Sequence, residues 1–170
     1  MEEYFPQFFT ATIYKWYPIL KASEVKDIIV NSLTFLTENK RVYVHAFVIM
    51  DNHIHLIWRI RAGHLQKSIQ RDFLKYTAQQ IKFYLQKNNR ALLELCKVNL
   101  KDRQYMIWQP NSMSIDLYTD RVYSQKIDYI HDNPVKAKLC LKAEDYFYSS
   151  ADYYYLNKSK WKFINNEDAL

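Results

Sequence analysis

Two apolar runs, RVYVHAFVIM (residues 41–50) and HIHLIWRI (53–60), follow one another with only Asp51 and Asn52 between them. No other feature limits the fold so tightly. Both runs are rich in β-branched and aromatic residues, which suits strands. A two-residue Asp-Asn link leaves room for a turn and little else, so the chain doubles back and pairs the runs antiparallel. The first run is nearly continuous in apolar residues, the signature of a strand covered on both faces. In the second, side chains alternate between faces. His53, His55, Ile57 and Arg59 share one face, and Ile54, Leu56, Trp58 and Ile60 share the other.

The rest of the chain arranges itself around this hairpin. QFFTATIYKW (7–16) reads as a first strand. Ser23 is a helix cap, with Val25, Ile28, Ile29, Leu33 and Leu36 on one face of a helix running to about Glu38. Gly63, the only glycine, ends the hairpin, and from Leu65 to about Lys87 the period turns helical, with a stripe of Leu65, Ile69, Phe73, Tyr76 and Phe83. Residues 88–104 are polar and poorly patterned, a connection with some helix. YMIWQ (105–109) reads as a fourth strand. Thr119 or Asp120 caps a further helix, expected to stop near Asn133 because Pro134 follows. The order is strand, helix, strand, strand, helix, strand, helix. It implies an α+β fold of the ferredoxin-like split βαβ kind: an antiparallel sheet with both crossover helices on one face and extra C-terminal helices. No repeat, low-complexity tract or linker divides residues 1–170, which read as a single domain.

Composition narrows the partners. Lys and Arg number 24 against 18 Asp and Glu, a formal charge of +6, which favours a polyanion or anionic surface. Aromatic residues make up 16%. Rings interleaved with basic residues suit unpaired nucleic acid, whose bases offer faces to stack on, although most rings in a protein are simply core. Cys96 and Cys140 form neither a disulfide framework nor a zinc motif and fit a reducing compartment. The opening MEEYFPQFF is acidic where a signal peptide is basic, and no apolar run reaches membrane-spanning length. The expectation is a cytoplasmic protein.

Both histidines project from the face opposite the crossover helices, about 7 Å apart along the strand. Two imidazoles so placed can converge on one divalent cation that polarises a phosphate. The plain alternative is a pair of structural strand residues. A zinc site would need a third or fourth Cys or His nearby, and a histidine-triad hydrolase another His where this chain has Ile57.

A second constellation lies in IDYIHDNPVKAKL (127–139). Tyr123, Ile127 and Ile130 follow the spacing of a buried stripe. Tyr129 lies about 100° round from Ile130, and Asn133 follows it by one turn on the same face. Tyr129 can be a partly buried aromatic or a working phenol. Asn133 can act with it or cap a following short helix that begins at Pro134.

Together VIMDNHIHLIW (48–58), DYIHDNPVKAKL (128–139) and DYFYSSADYY (145–154) resemble the REP-associated tyrosine transposases, single-tyrosine HUH transposases of prokaryotic insertion sequences. The likeness runs from the first strand to Tyr155, with the three motifs in the family's order and spacing. It implies a ferredoxin-like fold with the His-hydrophobic-His motif on a central strand. It implies that His53 and His55 ligate Mg²⁺ or Mn²⁺, that Tyr129 is the nucleophile, and that Asn133 supplies the third ligand one turn further on. The implied activity is nicking and rejoining of single-stranded DNA at a hairpin-bearing end, REP-like or of an insertion sequence, through a 5′-phosphotyrosine. Where the family has glycine this chain has Lys138, so the turn after the proline is expected to differ. Some related transposases are dimers that exchange the tyrosine helix; the sequence leaves monomer and homodimer open.

For DNA binding, Lys67, Arg71, Lys75 and Lys82 fall within an arc of about 80° at roughly 100° per residue, a phosphate track or an ordinary solvated face. DYFYSSADYYYLNKSKWKF (145–163) can stack on bases or pack on the core, and packing is the expectation for most of it. The rival from another class is a non-catalytic, domesticated hairpin-binding protein on the same fold. An RNA-binding sheet of the RRM kind needs aromatics on the exposed strand face, where this chain has histidines.

Overall fold

The computed structural model describes residues 4–164. Its single sheet contains β1 (Gln7–Thr12), β2 (Val42–Ile49), β3 (His53–Ile60) and β4 (Met113–Asp116), antiparallel throughout, in the order β2-β3-β1-β4. Helix α1 (Ser23–Glu38) joins β1 to β2, and α2 (Gln66–Asn88) with the short α3 (Arg90–Leu95) lies between β3 and β4. Two more helices, α4 (Asp120–Lys136) and α5 (Ala151–Leu156), follow the sheet. This is the split βαβ arrangement, and the α+β expectation holds.

Strand alternation divides the core in two. Phe9, Ala11, Phe47, Leu56 and Trp58 face α1 and α2, meeting Val25, Ile29 and Leu33 of the first helix and Ile69, Phe73, Ile81 and Leu85 of the second. Phe8, Ala46, Val48 and Ile57 face the other way, under Ile127 and Ile130 of α4. Each fully buried side chain of this size contributes about 1.5–3 kcal/mol, and the two isoleucines, with Tyr123 packed beside them, hold α4 on the sheet. β2 is apolar along its length because both its faces are covered. Within it, the pairing with β3 shifts register between Val44 and Ala46, a bulge that keeps Ala46 and Val48 on the α4 side. The aromatic tail packs as expected: Tyr146 donates to the Ile49 carbonyl at 2.8 Å, and Trp161 packs on Phe47 and Phe163.

Five local expectations are corrected. β1 stops at Thr12 rather than residue 16, because Lys15 and Trp16 take left-handed φ values of 52° and 59° and turn the chain away. Ser23 is the first residue of α1 and not its cap, which is Ala22. The buried stripe of α2 is Ile69, Phe73, Thr77, Ile81 and Leu85, whereas Leu65, Tyr76 and Phe83 are exposed. Thr77 is admitted to the core because its hydroxyl donates to the Phe73 carbonyl and accepts from Trp108 Nε1 at 3.0 Å.

The fourth strand is not 105–109 but Met113–Asp116. Residues 107–109 do run beside the end of β1, but Pro110 has no N–H to donate and Asn111 turns left-handed at φ 64°, breaking the ladder before β4 begins. Finally, α4 does not stop at Asn133. It continues through Pro134 to Lys136, since a proline in the last turn forfeits only its own hydrogen bond. The helix then ends on Lys138 at φ 59°, the conformation glycine takes most easily, with Leu139 N–H donating to the Pro134 carbonyl at 2.9 Å. Lys138 thus adopts the left-handed conformation itself.

Candidate functional site

The site begins at the Asp51–Asn52 turn, which is anchored from below. Lys26 of α1, buried, donates to the carbonyls of Leu20 at 2.6 Å and Lys21 at 3.2 Å and to Asp51 Oδ1 at 3.0 Å. Ile13 N–H donates to the Asn52 carbonyl at 2.8 Å, tying the turn to β1 as well. Nothing in the sequence pattern announced Lys26, because a lysine on an apolar helix face reads as a solvated residue.

From this turn the first histidine is oriented. Asn52 Oδ1 can only accept, so His53 Nδ1–H donates to it, at 2.7 Å, and leaves Nε2 with its lone pair. That Nε2 lies 3.3 Å from Asn133 Oδ1 on α4. In the next row Thr10 of β1 stands opposite His55, its hydroxyl 2.8 Å from His55 Nδ1. With Nδ1–H donating to Thr10, His55 Nε2 is also free to coordinate. The two imidazole centroids are 4.8 Å apart on one sheet face, as alternation demanded.

Electrostatics keep both rings neutral. Burial pushes the His55 pKa down to about 3, helped by His53 and by Lys126. Burial also lowers that of His53, with the Asn133 contact opposing it. A neutral imidazole is the form that ligates a metal. Two imidazoles on one sheet face with an amide oxygen 3.3 Å from one of them are donor types that suit a divalent cation. Among the described residues no three His, Cys, Asp or Glu side chains gather into such a set.

Tyr129 lies alongside. Its ring centroid is 5.3 Å from that of His55, edge to face, and 5.8 Å from that of Phe8, which stacks on His55. Tyr129 is 43% exposed, so its phenol can meet a large substrate. Two other tyrosines near α4 are placed differently. Tyr123 sits on the buried side of α4 with its hydroxyl enclosed, and burial drives its pKa well above the ordinary phenol value. Tyr118 donates its hydroxyl to Asp116 at 3.0 Å on the β4 edge. Asn133 is free of the capping role, because no new helix starts at Pro134.

The sequence reading missed two cations here. Lys126 Nζ lies 4.5 Å from the Phe8 centroid and 5.3 Å from that of Tyr129, and Lys136 Nζ lies 5.9 Å from the Tyr129 centroid. Their positions, i−3 and i+7 from Tyr129 on one helix, were the available signal. Thr10 could not be found this way, since its role depends on strand register.

No protein-family model matches the sequence, and no curated protein matches it. Among solved structures it resembles a REP-associated tyrosine transposase bound to a REP hairpin, at a TM-score of 0.68 and 18% identity, over 99% of this chain and 89% of that one. The chain has the fold of that transposase. A crystal structure from Deinococcus radiodurans, of a protein assigned as a transposase, is also similar at 14% identity over 78% of this chain and 92% of that one. Its TM-score of 0.48 carries no argument.

In this fold the histidine face and α2 lie on opposite sides of the sheet. Arg71, Lys75 and Lys82 line one groove beside α2, and Lys67 is not among its lining residues. Arg71 is paired with its neighbour Asp72 at 3.0 Å. Cys96 and Cys140 are free thiols, and among the described residues no helix is long and apolar enough to cross a membrane.

Proposed function

We propose that this protein is a transposase of the REP-associated tyrosine type, nicking and rejoining single-stranded DNA at a hairpin-bearing end through a 5′-phosphotyrosine. The observation that carries the reading is the convergence of Tyr129, His53, His55 and Asn133 from β3 and α4 onto one sheet face. The shared fold with a hairpin-bound transposase supports it.

Tyr129 Oη attacks the phosphorus of a phosphodiester, and the bond to the 3′ oxygen breaks. The phenol's proton leaves to solvent through the exposed side of the ring, and the departing 3′ oxygen takes one up. The 5′-phosphate stays on Tyr129, so the bond energy is retained for rejoining. His53 Nε2, His55 Nε2 and Asn133 Oδ1 are the atoms that would hold Mg²⁺ or Mn²⁺, which supplies charge neutralisation at the scissile phosphate. Asn52 and Thr10 engage Nδ1 of the two rings and so leave each Nε2 available for the cation. Lys126, poised over Phe8 and Tyr129, places an ammonium beside the attacked phosphate, where charge develops.

The test is a hairpin with unpaired flanks, labelled at its 3′ end and incubated with the protein and Mn²⁺. The label should stay on the protein through denaturation and be absent with a chelator. A cut product carrying a free 5′-phosphate would mean hydrolysis without a tyrosine intermediate. Binding with no cleavage would leave a non-catalytic hairpin binder.

A further inference from the structure

Alternation along β1 sends Phe9 and Ala11 into the core under α1 and α2, and turns Phe8 and Thr10 to the face that carries the histidines. Thr10 holds His55; Phe8 touches more of the site. It is 1% exposed, between Ile57 of β3 and Ile115 of β4, and its ring stacks on the His55 imidazole at 5.2 Å with the planes 21° apart. Tyr129 meets the same ring edge-on, and the Lys126 ammonium stands 4.5 Å from its centroid. A candidate metal ligand, the candidate nucleophile and a cation share one buried ring.

Lys126 has no other fastening. On α4 the positions three and four residues away are Val122, Tyr123, Tyr129 and Ile130, none of them acidic. Among the described residues Lys126 makes no ion pair and no hydrogen bond. It is half-buried all the same, and a lysine taken out of water normally has a partner. The rings are that partner. Phe8 at 4.5 Å and Tyr129 at 5.3 Å both lie within the range of about 6 Å over which a ring face attracts a cation.

The kind of partner matters. A carboxylate would fix the ammonium but cancel its charge and occupy its N–H donors. A ring quadrupole does neither, so charge and donors stay available to a phosphate oxygen. The charge is felt in the site, since Lys126 helps to hold the His55 pKa down. Lys136, the other cation near Tyr129, is exposed and lies over no second ring among the described residues.

We propose that Phe8 is a positioning residue: its ring seats the Lys126 ammonium beside Tyr129 by cation–π attraction and keeps it unneutralised for the phosphate. The presence of that phosphate rests on the transposase reading.

The experiment replaces Phe8 with mono-, di- and trifluorophenylalanine. Fluorine drains the negative face of the ring and barely changes its size, so folding is not at stake. The single-turnover rate of covalent adduct formation on a hairpin with unpaired flanks and Mn²⁺ should fall with each fluorine, to about a tenth for the trifluoro ring. In the Lys126→Met background the same series should be flat. An unchanged rate with Lys126 present overturns the proposal. So does a decline that persists without Lys126, because Phe8 would then act through His55 or Tyr129 alone. The NMR signal of the Lys126 ε-methylene reads the contact with neither DNA nor cation present. It should lie upfield of free lysine in the wild-type chain and move back towards it with trifluorophenylalanine. A free-lysine position in the wild-type chain overturns the proposal whatever the rates do. The two readings fail separately. A wild-type chain with the shifted Lys126 signal and no adduct sinks only the chemistry. A normal adduct with a flat fluorine series sinks only the seat.

Discussion

Replacing Lys26 by methionine tests whether the turn before the histidines is held from below. Methionine keeps the length of the apolar stem and removes the ammonium. The Leu20 carbonyl then loses a charged donor at 2.6 Å inside a fully buried residue, which costs about 1.5–3 kcal/mol. The Lys21 bond at 3.2 Å is longer and adds less. Asp51 is one-third exposed, so losing its partner is screened and adds under about 1 kcal/mol. Relief of the ammonium's own desolvation offsets part of the sum. The net loss is about 3 kcal/mol, or about 10 °C in Tm for a chain of this size. Thermal and urea unfolding measure it. Titration with Mn²⁺ supplies a second reading, because Asp51 precedes the Asn52 that orients His53, and affinity should fall with stability. A Tm within about 2 °C of the parent would show that Lys26 does not hold the turn.

Two other outcomes follow from the same geometry. His131 is buried against Ser150, and burial pushes its pKa down to about 4. The unfolded chain binds this proton near its ordinary pKa of about 6.5, so the folded state loses stability as pH falls from there through 4. Between pH 7 and pH 4 the loss is about 3 kcal/mol, and His131→Gln should remove that part of the acid slope in denaturant titrations; parallel slopes would contradict it. Asn133→Ala should weaken Mn²⁺ binding by about tenfold or more in calorimetry with little change in Tm, and an unchanged affinity would show that the amide is not a ligand.

How far the site could be read from the sequence depended on whether each signal was local. The hairpin and its histidines were legible because period-two alternation and a two-residue turn sit in consecutive residues. Tyr129 and Asn133 were legible as a pair because both lie on one helix. Thr10 was not, since only the register of β1 against β3 brings it to His55. β4 escaped because an exposed edge strand needs no apolar alternation, while the apolar 105–109 before it serves the core and bridges the end of β1 only at Trp108. The rule that proline ends a helix misplaced the end of α4, where the proline falls in a turn about to end anyway. Thr77 broke the apparent stripe of α2 because its hydroxyl is satisfied within the core, which a hydrophobicity pattern does not see.

The central claim is that Tyr129 becomes covalently bound to DNA. Its ring is exposed and its hydroxyl makes no hydrogen bond among the described residues, so Tyr129→Phe should leave Tm unchanged within about 1 °C. The decisive measurement is peptide mapping by mass spectrometry of the adduct formed on a flanked hairpin with Mn²⁺. It should place the nucleotide on Tyr129, and Tyr129→Phe should form no adduct while binding the same DNA. A phosphotyrosine mapped to another position, or an adduct that survives the substitution, would contradict the account.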